Sequence, residues 1–262
     1  MPSVIVLAAV APVATQPSVR AEQCNQLVLG ESASVVERQG DWVRVCTHRD
    51  DYDGWMHAGY LKLVETGVLD AWRSEAVGWS EGVVVRASGW QATLPLGARL
   101  ALESEAVVLP DGRRGRIGSG SVRLLSEVIS SARAKAPERW AAEYFLGSPY
   151  QWGGVTPWGV DCSGLVQTTF AARGIALPRD AAQQVTRGAV VSLDAVRPGD
   201  LLYFRSETGS GTITHVAFAG EADTLVHSTL ACGGMVVESW LPGSRGATLR
   251  ERLVAVRRLE ER

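Results

Sequence analysis

The chain has 262 residues, 26 Lys and Arg against 28 Asp and Glu, a formal net charge of −2 and an apolar share of 46%. That length has room for a catalytic domain plus one or two small modules, and the composition is that of an average globular protein. The near-neutral balance and the lack of a basic run exclude electrostatic recognition of nucleic acid, so a partner must be read by a site.

The first apolar run, Val4 to Val10, has no basic residue ahead of it and ends in Ala11-Pro12-Val13. A secretory leader needs a basic start and a longer apolar core, so the run predicts a first strand. No other segment is long enough to span a bilayer. Gln26 to Leu29, Ser34 to Glu37, Trp42 to Val45 and Trp55-Met56 read as short strands, punctuated by Gly30, Gly40-Asp41 and Asp51-Tyr52-Asp53-Gly54. Strands at such close intervals predict a small β-barrel over residues 1–64. The stretch from Gly40-Asp41-Trp42 through Gly54-Trp55 to Tyr60-Leu61 resembles bacterial SH3-like modules. Residues 65–126 are expected to be a second, degenerate copy. Pro110-Asp111-Gly112-Arg113 precedes Gly115 much as the Asp51 turn precedes Trp55, without the Gly-Asp-Trp signature.

From Ser126 the pattern changes. Val128, Ala132 and Ala136, then Trp140, Ala141, Tyr144 and Phe145, recur at helical spacing with a break at Pro137. A Gly-rich loop, Tyr150 to Gly154, leads to a second helix expected from Asp161 or Cys162 to Arg173 and stopped by Gly174. Beyond Arg197-Pro198-Gly199-Asp200 come strands at Leu201 to Phe204, Thr212 to Ala219, Thr224 to Ser228, Met235 to Glu238 and Leu253 to Arg257. Helices followed by an antiparallel sheet make residues 127–262 an α+β domain.

The four cysteines, Cys24, Cys46, Cys162 and Cys232, form no C-x-x-C pair and no zinc spacing with the histidines. No metal or other cofactor is implied, and Cys24 and Cys46 are expected as buried free thiols. Cys162 stands where a loop enters a helix, where free backbone N–H groups and the helix dipole lower a thiol pKa. His215 and His227 flank a hairpin turn, Gly220-Glu221-Ala222-Asp223. If that turn is centred on Glu221, they fall directly opposite one another on one face, as a base and its orienting partner would. His48 and His57 are expected on the surface.

Asp161-Cys162-Ser163-Gly164-Leu165-Val166, Pro178-Arg179-Asp180, Pro198-Gly199-Asp200-Leu201 and His215-Val216-Ala217, in that order, resemble the NlpC-type peptidoglycan cysteine peptidases. The resemblance spans residues 128–258 and implies a papain-like α+β fold, with Cys162 as nucleophile, His215 as base and His227 as third member. It implies Tyr150 beside the thiolate and the oxyanion site, and Asp161, Ser163 and Asp180 as ligands of the peptide's termini and D-Glu carboxylate. Asp161 also suits a helix cap. Ala181 departs from the family, where serine is common. Relatives with SH3-like modules cleave after γ-D-Glu in stem peptides bearing a free L-Ala amine, which implies a murein tripeptide or tetrapeptide substrate, no membrane partner and cytoplasmic recycling. Secreted or wall-associated remodelling is the alternative. Tyr52 is the candidate contact from the module. An amidase or acyltransferase on the same fold, and a wall-binding protein with a papain-like scaffold, stay as rival readings. The diamino acid and the oligomeric state are left open.

Overall fold

The computed structural model describes residues 2–207 and 211–259. The chain divides into two compact units, residues 1–128 and 129–262.

The first unit opens with seven strands, β1 (Ser3–Val6), β2 (Val10–Ala14), β3 (Gln23–Val28), β4 (Ser32–Gln39), β5 (Trp42–Thr47), β6 (Asp53–His57) and β7 (Leu61–Val64), in the sheet order β3-β2-β6-β5-β4-β1-β7. In β5 the alternation is plain, with Val43, Val45 and Thr47 buried between half-exposed neighbours. β1 does not alternate because both its faces are covered. Val4 and Val6 join a core with Ala11, Val13, Leu27, Val45 and Met56, while Ile5 packs with Leu69 and Trp72 of helix α1 (Thr66–Glu75). A strand buried on both faces reads as a continuous apolar run, which explains its likeness to a leader. The indole of Trp72 also donates to the carbonyl of Gly30 at 2.8 Å.

Helix α1 was not expected. Past it, β8 (Gly78–Ala87), β9 (Trp90–Leu102), β10 (Val107–Val108) and β11 (Arg114–Leu124) close into a barrel in the order β10-β11-β8-β9. It differs from the first sheet in strand number and order; the shared feature is the charged turn leading into β6 and β11. Cys24 and Cys46 are free thiols as expected, but half-buried where full burial was expected; Cys24 donates to the carbonyl of Val13 at 3.3 Å.

Helix α2 (Leu125–Arg133) leads into the second unit, followed by α3 (Pro137–Phe145), which starts on its proline. Proline suits that position, where an N–H would go unbonded. A small hairpin, β12 (Val155–Thr156) and β13 (Gly159–Val160), precedes α4 (Cys162–Ala172) and the short α5 (Ala181–Gln184). The remaining strands are β14 (Ala189–Val190), β15 (Leu201–Arg205), β16 (Ile213–Ala219), β17 (Thr224–Thr229), β18 (Gly234–Ser239) and β19 (Leu253–Arg258). They form one antiparallel sheet, β14-β19-β15-β16-β17-β18, with α6 (Ala247–Arg250) before the last strand. This is the expected α+β arrangement.

Helix α4 is buried almost throughout, and a helix apolar on all sides belongs in a core. It packs on β16 and β17, with the Phe170 and Phe218 rings 6.0 Å apart. Its polar side chains bond inward, Gln167 to the carbonyl of Leu177 at 3.0 Å and Thr168 to that of Val155 at 2.8 Å. Gly174, at φ +73°, follows the helix end in the left-handed conformation expected of a stop.

Candidate active site

The site is built where the N-terminus of α4 meets β16. Asp161 caps the helix, one carboxylate oxygen accepting the N–H of Gly164 at 2.7 Å and the other that of Gly153 at 2.8 Å. Arg179 closes on both oxygens, at 3.0 and 2.6 Å, and also reaches the hydroxyl of Ser163 at 2.8 Å. The side chains of this pair are 1% and 6% exposed. A buried carboxylate persists only when paired and hydrogen-bonded, and here the Ser163 hydroxyl, at 3.2 Å, joins the two backbone N–H groups and the two guanidinium nitrogens around it. The loop lies so close that a Cβ on Gly164 would stand 2.0 Å from the carbonyl oxygen of Gly154. Glycine is therefore required at that position. This cage fixes the first turn of α4 and with it the direction of Cys162.

Cys162 is buried at the start of α4, and the backbone N–H groups of Ser163 and Val216, the second belonging to the residue after His215, favour its thiolate. The pKa, however, runs against expectation. Burial, followed by the Asp161 carboxylate, pushes the thiol up to about 12, outweighing Val216, Arg179 and Ser163, which pull it down. A helix start is favourable for a thiolate, but desolvation dominates here.

His215 and His227 sit on one face, as expected, but not directly opposite. Phe218 pairs with Val226 and Ala219 with Leu225, so the hairpin centres one residue later than Glu221. That register makes the two histidines diagonal neighbours. The turn uses Ala222 and Asp223, both at positive φ, and aspartate tolerates this conformation better than most residues. The rings still meet, with Nε2 of His215 2.7 Å from Nδ1 of His227. His227 is buried, and its Nε2 lies 2.7 Å from Oε1 of Glu238. Nδ1 of His215 is then the ring nitrogen that His227 does not engage. Part of the His215 surface stays open, yet burial, then His227, Arg252 and Arg245, holds its pKa well below the ordinary value.

Tyr150 is half-buried near Cys162 and Asp161. Burial raises its pKa, with Cys162 and Asp161 adding to the effect. Its N–H donates to the carbonyl of Gly233 at 2.8 Å. Asp180 is half-buried at the start of α5. Tyr52 belongs to the first unit and packs, half-buried, against the core of its sheet. Asp200, within Pro198-Gly199-Asp200, is a structural residue whose carboxylate pairs with Arg258 at 2.7 Å. Sequence reasoning missed Arg179 and Glu238 as partners. A buried Asp161 signals the need for a cation, and a diagonal position opposite His227 signals Glu238, but only once burial and register are known. Among the described residues, no group of three or more His, Cys, Asp and Glu side chains is placed to hold a metal ion. No helix there is long and apolar enough to cross a membrane.

Comparison with known proteins agrees with this construction. Residues 147–257 match the NlpC/P60 family, and residues 13–61 match the bacterial dipeptidyl-peptidase Sh3 domain. A γ-D-glutamyl-L-lysine dipeptidyl-peptidase of Bacillus cereus is 30% identical over 227 residues, covering 79% of this chain and 67% of the relative. Its Bacillus subtilis namesake is 31% identical over 220 residues, covering 78% and 71%. In fold, the chain is similar to an NlpC/P60 family protein from Bacillus cereus, with a TM-score of 0.79 over 98% of this chain and 99% of that one at 22% identity. A second solved NlpC/P60 endopeptidase, from Photobacterium damselae, superposes with a TM-score of 0.65 over 97% of this chain and 70% of its own at 13% identity. With the buried cysteine at a helix N-terminus and the paired histidines on the adjoining sheet, these matches establish that the chain belongs to the NlpC/P60 family.

Proposed function

We propose that the chain is a cysteine endopeptidase hydrolysing the γ-D-glutamyl–diamino acid amide of murein stem peptides with a free N-terminal L-Ala. The names of the two Bacillus relatives support the bond class. The observation that carries the chemistry is the array of Cys162 at the start of α4, His215 on β16 and His227 at 2.7 Å behind it.

Burial disfavours a lone thiolate and a lone imidazolium alike, so charge enters the site as a pair. Cys162 passes its proton to Nδ1 of His215 as the sulfur attacks the γ-carbonyl carbon. The N–H of Cys162 and the hydroxyl of Tyr150 receive the developing oxyanion. As the C–N bond breaks, His215 returns the proton to the leaving amine, which leaves a thioester on Cys162. Water then gives a proton to His215, attacks the thioester, and releases the γ-D-Glu carboxylate and the free thiol. His227 holds the ring of His215 in orientation throughout.

For substrate recognition, Asp180 is the candidate partner of the L-Ala ammonium, and Tyr52 the candidate contact from the Sh3 unit. Asp161 and Ser163 shape the wall of the groove through Arg179. A murein tripeptide or tetrapeptide processed during cytoplasmic recycling is the substrate this reading favours. Incubation with L-Ala-γ-D-Glu-diamino acid peptides and mass identification of the fragments tests it. L-Ala-D-Glu and the free diamino acid or its peptide are expected; cleavage at another bond, or acyl transfer in place of hydrolysis, contradicts the reading.

A further inference from the structure

We propose that Glu238 is a positioning residue for the reaction: it fixes the proton of His227 on Nε2 and thereby leaves the lone pair of His215 on Nδ1, the nitrogen that takes the thiol proton in the reaction proposed above. The proposal rests on the assignment of Cys162, His215 and His227 given above.

A carboxylate only accepts, so the 2.7 Å contact between Oε1 of Glu238 and Nε2 of His227 needs the proton on Nε2. In that tautomer Nδ1 of His227 is the acceptor, and its partner at 2.7 Å, Nε2 of His215, donates. That leaves Nδ1 of His215 unprotonated. The opposite tautomer of His227 would lose the bond to Glu238 and reverse the one to His215, placing a proton on Nδ1 of His215, where it cannot accept one from Cys162. The polarity of the array is therefore decided at its acidic end.

Two features hold Glu238 to this task. The β17–β18 register pairs His227 with Val236, so Glu238, two residues further along, is its diagonal neighbour on the same face, within reach of a long side chain. Arg245 pairs with the same carboxylate oxygen, and the Glu238 side chain is only 14% exposed. The bond from His227 comes first, and Arg245 adds to it, in holding the carboxyl below its ordinary pKa. Arg252, the other cation acting on His215, is itself paired with Glu207 at 2.7 Å.

Glu238→Leu removes the acceptor, whereas Glu238→Gln keeps an acceptor oxygen without the charge. We expect Glu238→Leu to lose at least about tenfold in kcat with KM little changed, and Glu238→Gln to stay within about fivefold of wild type. Ring ¹⁵N spectra should place the wild-type His227 proton on Nε2 and show a mixture of tautomers in Glu238→Leu. A folded Glu238→Leu protein with wild-type kcat overturns the proposal. So does a wild-type spectrum with the His227 proton on Nδ1, a measurement that needs no variant to fold. Cys162→Ala and His215→Ala, run alongside, keep the two readings apart. Turnover surviving in either overturns the active-site assignment, whereas loss in both with wild-type kcat in Glu238→Leu overturns only the role of Glu238.

Discussion

His215 and His227 lie diagonally across β16 and β17, with Nε2 of the first 2.7 Å from Nδ1 of the second. In the proposed reaction the base thus bonds to its partner through Nε2 and keeps Nδ1 for the thiol proton. Replacing His227 by Gln keeps a polar group that can accept the bond, whereas no neighbour can substitute for His215. His227→Gln should retain more turnover than His215→Ala, measured as kcat/KM on one stem peptide. Equal and complete loss in both would show that the two roles are assigned wrongly.

Because burial holds His215 well below its ordinary pKa, the neutral base persists on the acid side of pH 6.5. Protonation of the base removes activity, so the acid limb of kcat/KM should lie below the ordinary histidine range, with full activity at pH 6.5. A limb centred at or above that value would mean that another group governs it.

The thiol, pushed up to about 12 by burial, depends on His215 to lose its proton. Alkylation of Cys162 by iodoacetamide at pH 7.5 should slow by at least about a hundredfold in His215→Ala, since a thiol reacts as its thiolate. Unchanged labelling would mean that the cysteine ionises independently of His215.

The cage around Asp161 should matter to stability. Arg179→Leu leaves a carboxylate buried without its cation, a change that costs about 3–5 kcal/mol. Thermal unfolding should fall by roughly 10 °C. A Tm within a degree or two of wild type would show that water or another side chain takes over the role of Arg179.

Specificity for a free amine is testable by acetylating the L-Ala nitrogen. Loss of a buried ammonium–carboxylate pair costs several kcal/mol, so kcat/KM should fall by at least about a hundredfold. Tyr52→Ala should raise KM for the free-amine peptide. Equal rates on free-amine peptide, acetylated peptide and intact peptidoglycan would point to an open groove and to remodelling outside the cytoplasm.

Much of this architecture is written locally. The strands around His215 and His227 follow from short apolar and β-branched runs between turn signals, and α4 follows from a cap at Asp161 and a stop at Gly174, both signals carried by neighbours in sequence. Helix α1 was missed because its buried side is just Leu69 and Trp72, too few positions for a periodic stripe. The hairpin register was missed because a turn through Ala222 and Asp223 lacks the glycine that would mark its centre. Arg179 and Glu238 escaped for a different reason: their partners are set by tertiary packing, which no spacing encodes. The thiol pKa had the wrong sign from sequence for the same cause. A helix dipole can be read from one segment, but desolvation belongs to the whole domain.

The central claim, that the Cys162 sulfur attacks a γ-D-glutamyl amide, is tested most directly with Cys162→Ala on L-Ala-γ-D-Glu-diaminopimelate, with Cys232→Ala as control. The exposed Cys232 should be dispensable, and that variant should release L-Ala-D-Glu and diaminopimelate at nearly the wild-type rate. Cys162→Ala, folded by circular dichroism, should fall below roughly a thousandth of wild-type turnover, the usual scale for a lost nucleophile. Release of the same products by Cys162→Ala at a rate near wild type would contradict the account.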